Sequence, residues 1–455
     1  MKLYNTLTGH KEEFKPNSSP VKMYVCGITP YAPSHLGHAM SYVIFDVLRR
    51  YLEFRGFQVR HVQNFTDIED KIIQRAARLN ISTEELSERY IDEYFEDMAA
   101  LNILQAHVYP RATREIPRII EIIRVLIDRG YAYSVKGDVY FRVQKVEDYG
   151  RLSRRTLDGL LAGDGPDKET NKEHQGDFAL WKGAKTGEPF WDSPWGKGRP
   201  GWHIECTAMS LYYLGETLDI HGGGQDLIFP HHENEIVQSE SYTSVTPFSR
   251  FWVHNGLLRL GEDKMSKSLG NLVTVTEALG QFNPDTIRLF FLASHYRSPL
   301  TYSHEAIIAQ ERAVERLRNA AKDGDSSELP SLDPEPFRTR FLTAMDDDLN
   351  TPQALAALFD LAREINRRRE DSQSVAEAQH TLKGLAIILG LTLEESQPPG
   401  RGDTSALIQL LVETRAELRA ANRYDLADKI RASLVELGVT LEDTAQGTKW
   451  KHKPS

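Results

Sequence analysis

The chain has only two cysteines in 455 residues, Cys26 and Cys206. Two thiols cannot build a disulfide framework, and a chain of this length can form its core without one. No apolar run approaches the roughly 18–20 residues that a membrane span needs. The opening MKLYNTLTGHKEEF has no apolar h-region, so no secretory signal is expected. Positive charge is also short, with 55 Lys and Arg against 65 Asp and Glu, a net −10. This argues against indiscriminate coating of nucleic acid but leaves room for a local basic surface. The excess is partly local, since 81–100 carries seven acids and one Arg. A nucleic-acid partner is therefore expected on another face. A cytoplasmic globular protein of about three domains, at roughly 150 residues each, is what these absences leave.

The first 75 residues read as strand, helix, strand. VKMYVC (21–26) is a short apolar strand that breaks at Gly27 and Pro30. After His35-Leu36-Gly37-His38, Val43, Val47, Leu48 and Tyr51 recur at helical spacing, and Gly56 stops the run. QVRHVQNFT is again strand-like. A βαβ start predicts a parallel sheet with ligands at the carboxyl ends of its strands. Ile116, Ile119, Ile120, Ile123 and Ile127 define the inner face of a helix capped by Gly130. GDVYFRV reads as a strand of an inserted unit, 162–176 as a mobile loop, and LDIHGGGQDL as a strand followed by a glycine loop. From about Asp285 the pattern is helical, with windows at 304–322, 335–348, 352–368 and 374–389. SQPPGRGDT (396–404) reads as a linker, and 405–455 as two helices with a turn-rich end.

Three motifs carry chemistry. His35-Leu36-Gly37-His38 opens a helix just after a strand, where backbone N–H groups favour anions and Gly37 permits close approach. Alone it reads equally well as a helix cap. Lys264-Met265-Ser266-Lys267-Ser268, between Gly261 and Gly270, suits a loop closing over a triphosphate, or else a solvated basic turn. The third is the cysteine pair with FPHHENEI (229–236). Pro230 marks a helix start that puts His231 and Glu235 at i, i+4 on one face, and His232 on another. Cys26, Cys206, His231 and Glu235 form a tetrahedral donor set, and two thiolates select zinc. Buried cysteines acting as small hydrophobes are the alternative.

HLGH followed well downstream by KMSKS is the double signature of class I aminoacyl-tRNA synthetases. MYVCGITPYAPSHLGHA, VQNFTDIEDKII, GRPGWHIECTAMS, LDIHGGGQDLIFPHHENEIVQSES, KMSKSLGN and LGVTLEDTAQGTKW closely resemble the cysteinyl-tRNA synthetases, over essentially the whole chain. The resemblance implies an α/β fold: a Rossmann-like parallel-sheet catalytic domain with an inserted connective unit, then an all-α C-terminal region. The boundaries expected are 1–305 for the catalytic domain with the insert at about 107–200, 306–395 for a helical stem, and 396–455 for anticodon binding.

The resemblance also implies roles. One Zn²⁺ on Cys26, Cys206, His231 and Glu235 would bind the substrate thiolate, with a Zn–S bond of about 2.3 Å. ATP with Mg²⁺ and L-cysteine would react with His35 and His38 at the phosphates and Lys264 and Lys267 clamping them. Gly37, Ser266 and Ser268 complete the expected phosphate contacts. Gly222, Gly223, Gly224 and Asp226 are expected to line the adenosine site, and Thr29, Trp202, His221 and His232 the cysteine pocket, with His203 nearby. The tRNA(Cys) anticodon is expected on the C-terminal region, where Arg419, Asp428, Asp443 and Trp450 are candidates beside a plain solvated face. A monomer is expected, and no editing domain.

Two rival readings share part of the text. A cysteine ligase of mycothiol synthesis has MYVCGITPY, HLGH, PHHE and KMSKS, but is shorter at the C-terminus and lacks Glu235 in this setting. A non-catalytic tRNA-binding paralogue would lose motif residues that are all present here. The departures from the family pattern are HLGH for HIGH, Glu69 for a second Asp, and KETNKEHQG before DFALWK. None touches a proposed ligand.

Overall fold

The computed structural model describes residues 1–17, 19–156, 171–260, 263–264, 273–322, 332–371, 373–394, 404–421, 423–436, 439–444 and 447–452. Residues 1–396 form one compact unit and 397–455 a second. The linker 396–404 lies outside the described residues except for Thr404, as does most of the loop expected at 162–176.

A short hairpin of β1 (Lys2–Asn5) and β2 (His10–Glu13) precedes the central sheet. The sheet's first βαβ unit is β3 (Val21–Val25), α1 (Leu36–Phe54) and β4 (Val59–Gln63), with β3 and β4 parallel. β3 and β4 each leave only their second residue partly exposed, as expected of strands covered on both faces. Two helices follow, α2 (Asp70–Leu79) and α3 (Thr83–Ala100).

The inserted unit is α4 (Ile116–Asp128) with an antiparallel sheet of β5 (Ala132–Val135), β6 (Asp138–Phe141), β7 (Phe178–Gly183) and β8 (Gly198–Pro200). Gly130 follows α4 at φ +79°, the left-handed conformation that suits a glycine stop. The buried face of α4 is rotated from the expected one. Ile122 and Leu126 are buried beside Ile116, Ile119 and Ile123, whereas Ile120 and Ile127 are only partly covered. The reason is that α4 packs against the inserted sheet and also against Ile204, Ala208 and Val237 from outside it.

The chain then returns to the central sheet through α5 (Trp202–Leu214), β9 (Leu218–Gly224), α6 (Glu233–Thr243) and β10 (Ser249–Asn255). The strand order is β10-β9-β3-β4, all parallel. The connection from β3 runs to β4 and that from β9 runs the opposite way to β10, so the crevice between the carboxyl ends of β3 and β9 is a topological switch point, where ligands of such sheets bind. Here the expectation for the glycines needs correcting. Gly222, Gly223 and Gly224 belong to β9 itself, not to a loop after it. A Cβ on Gly222 would lie 2.2 Å from the Phe45 ring of α1, so helix and sheet close together only over glycine.

β11 (Leu258–Leu260) and β12 (Asp263–Lys264) precede α7 (Val275–Leu279) and α8 (Pro284–Leu292), and β13 (Leu300–Tyr302) pairs with β11. α9 (His304–Ala321), α10 (Glu335–Asp346), α11 (Thr351–Glu370) and α12 (Ala376–Ile388) occupy the expected helical windows. They share one hydrophobic core with α1 and α8. A buried ion pair joins the layers: Arg288 Nη2 of α8 lies 2.6 Å from Asp46 Oδ2 of α1 and donates to the Leu389 carbonyl (2.9 Å) after α12.

The second unit holds α13 (Thr404–Ala420) and α14 (Tyr424–Glu436). The end expected to be all-α and turn-rich is instead an antiparallel hairpin of β14 (Val439–Thr444) and β15 (Gly447–His452). Val439 and Leu441 alternate along β14 and pack on Ile408, Val412 and Leu434, which gives a small unit an apolar face to close over. No helix among the described residues is long and apolar enough to cross a membrane.

Candidate active site and metal centre

A cleft of about 500 Å³ opens at the switch point. Cys26, Gly27, Ile28 and Thr29 line it from beyond β3, Gly224 and Asp226 from the end of β9, and Asn255 from the end of β10. His35, Gly37 and His38 line the wall at the start of α1. Of the three glycines, only Gly224 reaches the cleft among the described residues; Gly223 is crowded by Leu227 and His232.

The HLGH turn is a cap and a cleft wall at once. His38 N–H donates to His35 Nδ1 (3.3 Å), and His35 N–H to His38 Nδ1 (3.4 Å), a reciprocal capping box. The two rings stack with centroids 3.6 Å apart. A Cβ at Gly37 would meet the His35 ring at 3.0 Å, so glycine keeps the stack close to the backbone. A short strap fastens this turn: Leu36 N–H donates to the Val273 carbonyl (3.0 Å) and Val275 N–H to that of Ser34 (2.9 Å). The KMSKS segment lies just before that strap. Lys264 is in β12, whereas Ser266, Lys267 and Ser268 lie outside the described residues.

Cys26, which lines the cleft, also belongs to a buried donor cluster. Cys26, Cys206, His231 and Glu235 each offer a ligand atom, all within 4.8 Å of one another, and all four residues are buried. Cys26 follows β3, Cys206 lies in α5, and α6 with the turn before it brings the rest. His231 Nε2 stands 3.1 Å from Glu235 Oε1 at the expected i, i+4 spacing. The ligand atoms of Cys26, His221, His232 and Glu235 likewise lie within 4.8 Å of one another, so His221 and His232 border the cluster directly. His232 Nε2 is 3.2 Å from Cys26 Sγ, and its Nδ1 is 2.8 Å from His254 Nε2, whose own Nδ1 reaches Thr6 Oγ1 at 2.8 Å.

The electrostatics suit a cation. Burial works against ionising Glu235, yet His221 and His231 beside it hold its carboxyl down to about 2. Burial likewise opposes a Cys206 thiolate, but the Cys26 hydrogen bond and the His231 charge bring this thiol below its usual range, while burial and Cys206 push Cys26 up. Glu235 Oε2 is buried without a hydrogen bond, His221 Nε2 standing 3.5 Å away. Buried carboxylate and thiolates with an imidazole form an anionic four-donor site, and this chemistry fits zinc.

Trp202 is 40% exposed at the mouth and tilts over His231, ring centroids 4.4 Å apart. His203 Nδ1 lies 2.9 Å from His231 Nδ1, so it orients the imidazole from behind, as metal-ligating histidines usually require. Sequence reasoning had no account of His254 or Thr6, or of Tyr31, Lys71 and Asn255 at the cleft. These come from separate elements, and only the fold brings them together. In the second unit Arg419 and Asp428 are exposed, Trp450 packs partly on the small core, and Asp443 is a residue of β14.

Comparison with known proteins agrees with this geometry. Residues 13–312 match the family model described as tRNA synthetases class I (C) catalytic domain, and residues 340–394 match the DALR domain. Fold and cleft therefore define a class I tRNA synthetase. The cysteine–tRNA ligase of Dehalococcoides mccartyi (strain BAV1) is 56% identical over 456 residues, covering 100% of both chains. Those of Caldicellulosiruptor saccharolyticus and Thermococcus onnurineus are 48% and 47% identical, with 99% of each chain covered. The chain belongs to the cysteine–tRNA ligase family. Mycobacterium tuberculosis methionyl-tRNA synthetase in complex with methionyl-adenylate shares the fold at TM-score 0.60 and 18% identity, covering 87% of this chain and 94% of that one.

Proposed function

We propose that the protein activates L-cysteine with ATP and transfers the cysteinyl group to tRNA(Cys). The observation that carries this reading is the buried Cys26–Cys206–His231–Glu235 cluster, whose Cys26 lines a cleft walled by His35 and His38. In the first step a carboxylate oxygen of cysteine attacks the α-phosphorus of ATP. The bond to the β-phosphate breaks, and pyrophosphate leaves with the electron pair. In the second step a terminal ribose hydroxyl attacks the adenylate carbonyl, loses its proton and expels AMP.

The chain's own contribution is orientation and charge stabilisation, with no covalent enzyme intermediate. The N-terminus of α1 faces the phosphates, with His35 and His38 as donors to the charge that grows on them. Lys264 and Lys267 clamp the β- and γ-phosphates, with Ser266 and Ser268 beside them. Gly224 and Asp226 take the adenosine side, with Asp226 at the ribose hydroxyls. Thr29, Trp202, His221 and His232 enclose the amino acid. Zinc held by Cys26, Cys206, His231 and Glu235 would supply a Lewis acid that takes the substrate sulfur as thiolate and leaves serine, a harder and protonated ligand, behind. Apolar pockets alone separate near-isosteres only about 10²-fold.

We read 1–305 as the catalytic domain with its insert at 107–200, 306–395 as the stem, and 396–455 as the anticodon-binding region. There Arg419, Asp428, Asp443 and Trp450 are the candidate contacts. The inferred setting is the cytoplasm, and the working form a monomer. Cysteine-dependent ATP–pyrophosphate exchange followed by transfer of labelled cysteine to tRNA(Cys) tests the reading. Transfer to glucosaminyl-inositol in place of tRNA would overturn it in favour of the mycothiol-type ligase, and no exchange at all would favour a non-catalytic paralogue.

A further inference from the structure

We propose that Lys71, with Arg75 one turn behind it, binds a backbone phosphate at the acceptor end of the tRNA. Lys71 is the only Lys or Arg among the described residues that line the substrate cleft. It sits in the first turn of α2 and is exposed, which puts its ammonium at the rim rather than at the floor. The Nζ lies 5.7 Å from the centre of the Tyr31 ring, another lining residue.

The neighbouring carboxylates are occupied. Asp70 Oδ2 takes Lys182 at 3.0 Å and its Oδ1 takes Arg199, both from the inserted unit. Glu69 caps α2 by accepting from Lys71 N–H (2.7 Å). Arg75 rests on Tyr90 of the acidic helix α3, so the proposed contact departs from the expectation of a nucleic-acid partner on another face. The guanidinium is 5.7 Å from that ring and 3.3 Å from its hydroxyl, and its Nε is buried with no hydrogen bond. Among the described residues neither cation forms an ion pair with a carboxylate. Like charges at i, i+4 work against a helix, so the pair is best explained by an anion that meets them from outside.

The inference rests on the synthetase reading, which leaves one anion unassigned. The triphosphate has the α1 N-terminus and the two histidines, and the cysteine pocket lies over the donor cluster. An RNA strand entering between the rim and the inserted unit, to which Asp70 ties α2, would bring its terminal phosphates past Lys71. Phosphate contacts of this kind position a strand without reading its sequence.

The full-length enzyme with transcribed tRNA(Cys) tests the proposal. For Lys71→Ala, kcat/KM for tRNA should fall about tenfold, mostly through KM, as expected for loss of one charge-assisted phosphate contact. Pyrophosphate exchange, which needs no tRNA, should stay within about twofold. The salt slope of log kcat/KM should shrink by about 0.7, the value for one phosphate on a single strand. Lys71→Arg should restore most of the loss, and the double variant with Arg75→Ala should deepen it. Equal losses in exchange and transfer would overturn the proposal by moving Lys71 to ATP or cysteine. So would a Lys71→Ala enzyme unchanged in both. Wild-type enzyme without exchange would instead defeat the synthetase reading itself.

Discussion

The Sγ atoms of Cys26 and Cys206 stand 3.9 Å apart in the folded chain, both buried and both free thiols, although 180 residues separate them in sequence. Their spacing is too long for a disulfide and short enough for two ligands of one tetrahedral ion. Purified protein should carry about one zinc per chain, and Cys206→Ser should lose both the metal and cysteine-dependent exchange. Metal analysis beside the exchange assay checks this. A variant that keeps its zinc and its activity would show that the donor set is elsewhere.

His35 does two jobs, and they can be separated. It caps α1 through Nδ1 and walls the cleft with its ring. Asparagine is among the best N-caps, whereas alanine is among the poorest. His35→Asn should therefore keep its melting temperature, while His35→Ala should lose about 1 kcal/mol of stability. Both should lose about 10²–10³-fold in the rate of exchange if the imidazole stabilises phosphate charge. An Asn variant as active as wild type would reduce His35 to its capping role.

Much of this was legible from short-range pattern. The strand at 21–25, the helix after HLGH and the four stem helices follow from apolar period and glycine punctuation, which act within a turn or two. The approach of His231 to Glu235 was legible because their i, i+4 spacing is local. What escaped depends on partners distant in sequence. The inner face of α4 is chosen by helices outside the insert. The hairpin at 439–452 pairs charged and apolar residues whose alternation is weak until the small core is known. The His232–His254–Thr6 chain joins three elements that no window contains.

Gly222 illustrates the same point, and it yields a test. The sequence places it in a nucleotide-binding loop, but its missing Cβ makes room for Phe45. Gly222→Ala should cost about 1–3 kcal/mol, as overpacking does, and Phe45→Leu in the same chain should recover most of it. The KM for ATP of the double variant should match wild type. A raised KM with undiminished stability would return Gly222 to the adenosine site.

Asp97 is the one buried acid of the acidic helix α3. It lies in the stretch that carries seven acids, but it is buried, with Oδ1 3.1 Å from the Thr276 hydroxyl and Oδ2 without a partner. Burial first, then the charges of Glu93 and Glu96, raise its carboxyl from 3.8 to about 6, with the Thr276 bond opposing. An acid whose folded value lies above its unfolded one binds protons more tightly when folded. Its contribution to stability is then largest below pH 3.8 and is lost as pH rises to about 6. Asp97→Asn keeps an acceptor for Thr276 and removes the buried charge. It should stabilise the protein at pH 7.5 by on the order of 1–3 kcal/mol, with the gain shrinking towards pH 4.5. Thermal melts of both proteins across that range decide the matter. A difference that stays constant with pH would mean that Asp97 does not titrate in the fold as described. α7 follows directly on the strap that pairs with Ser34 and Leu36, so the same variant also asks whether this anchor reaches the HLGH wall. If it does, the pH profile of exchange should lose a limb near 6.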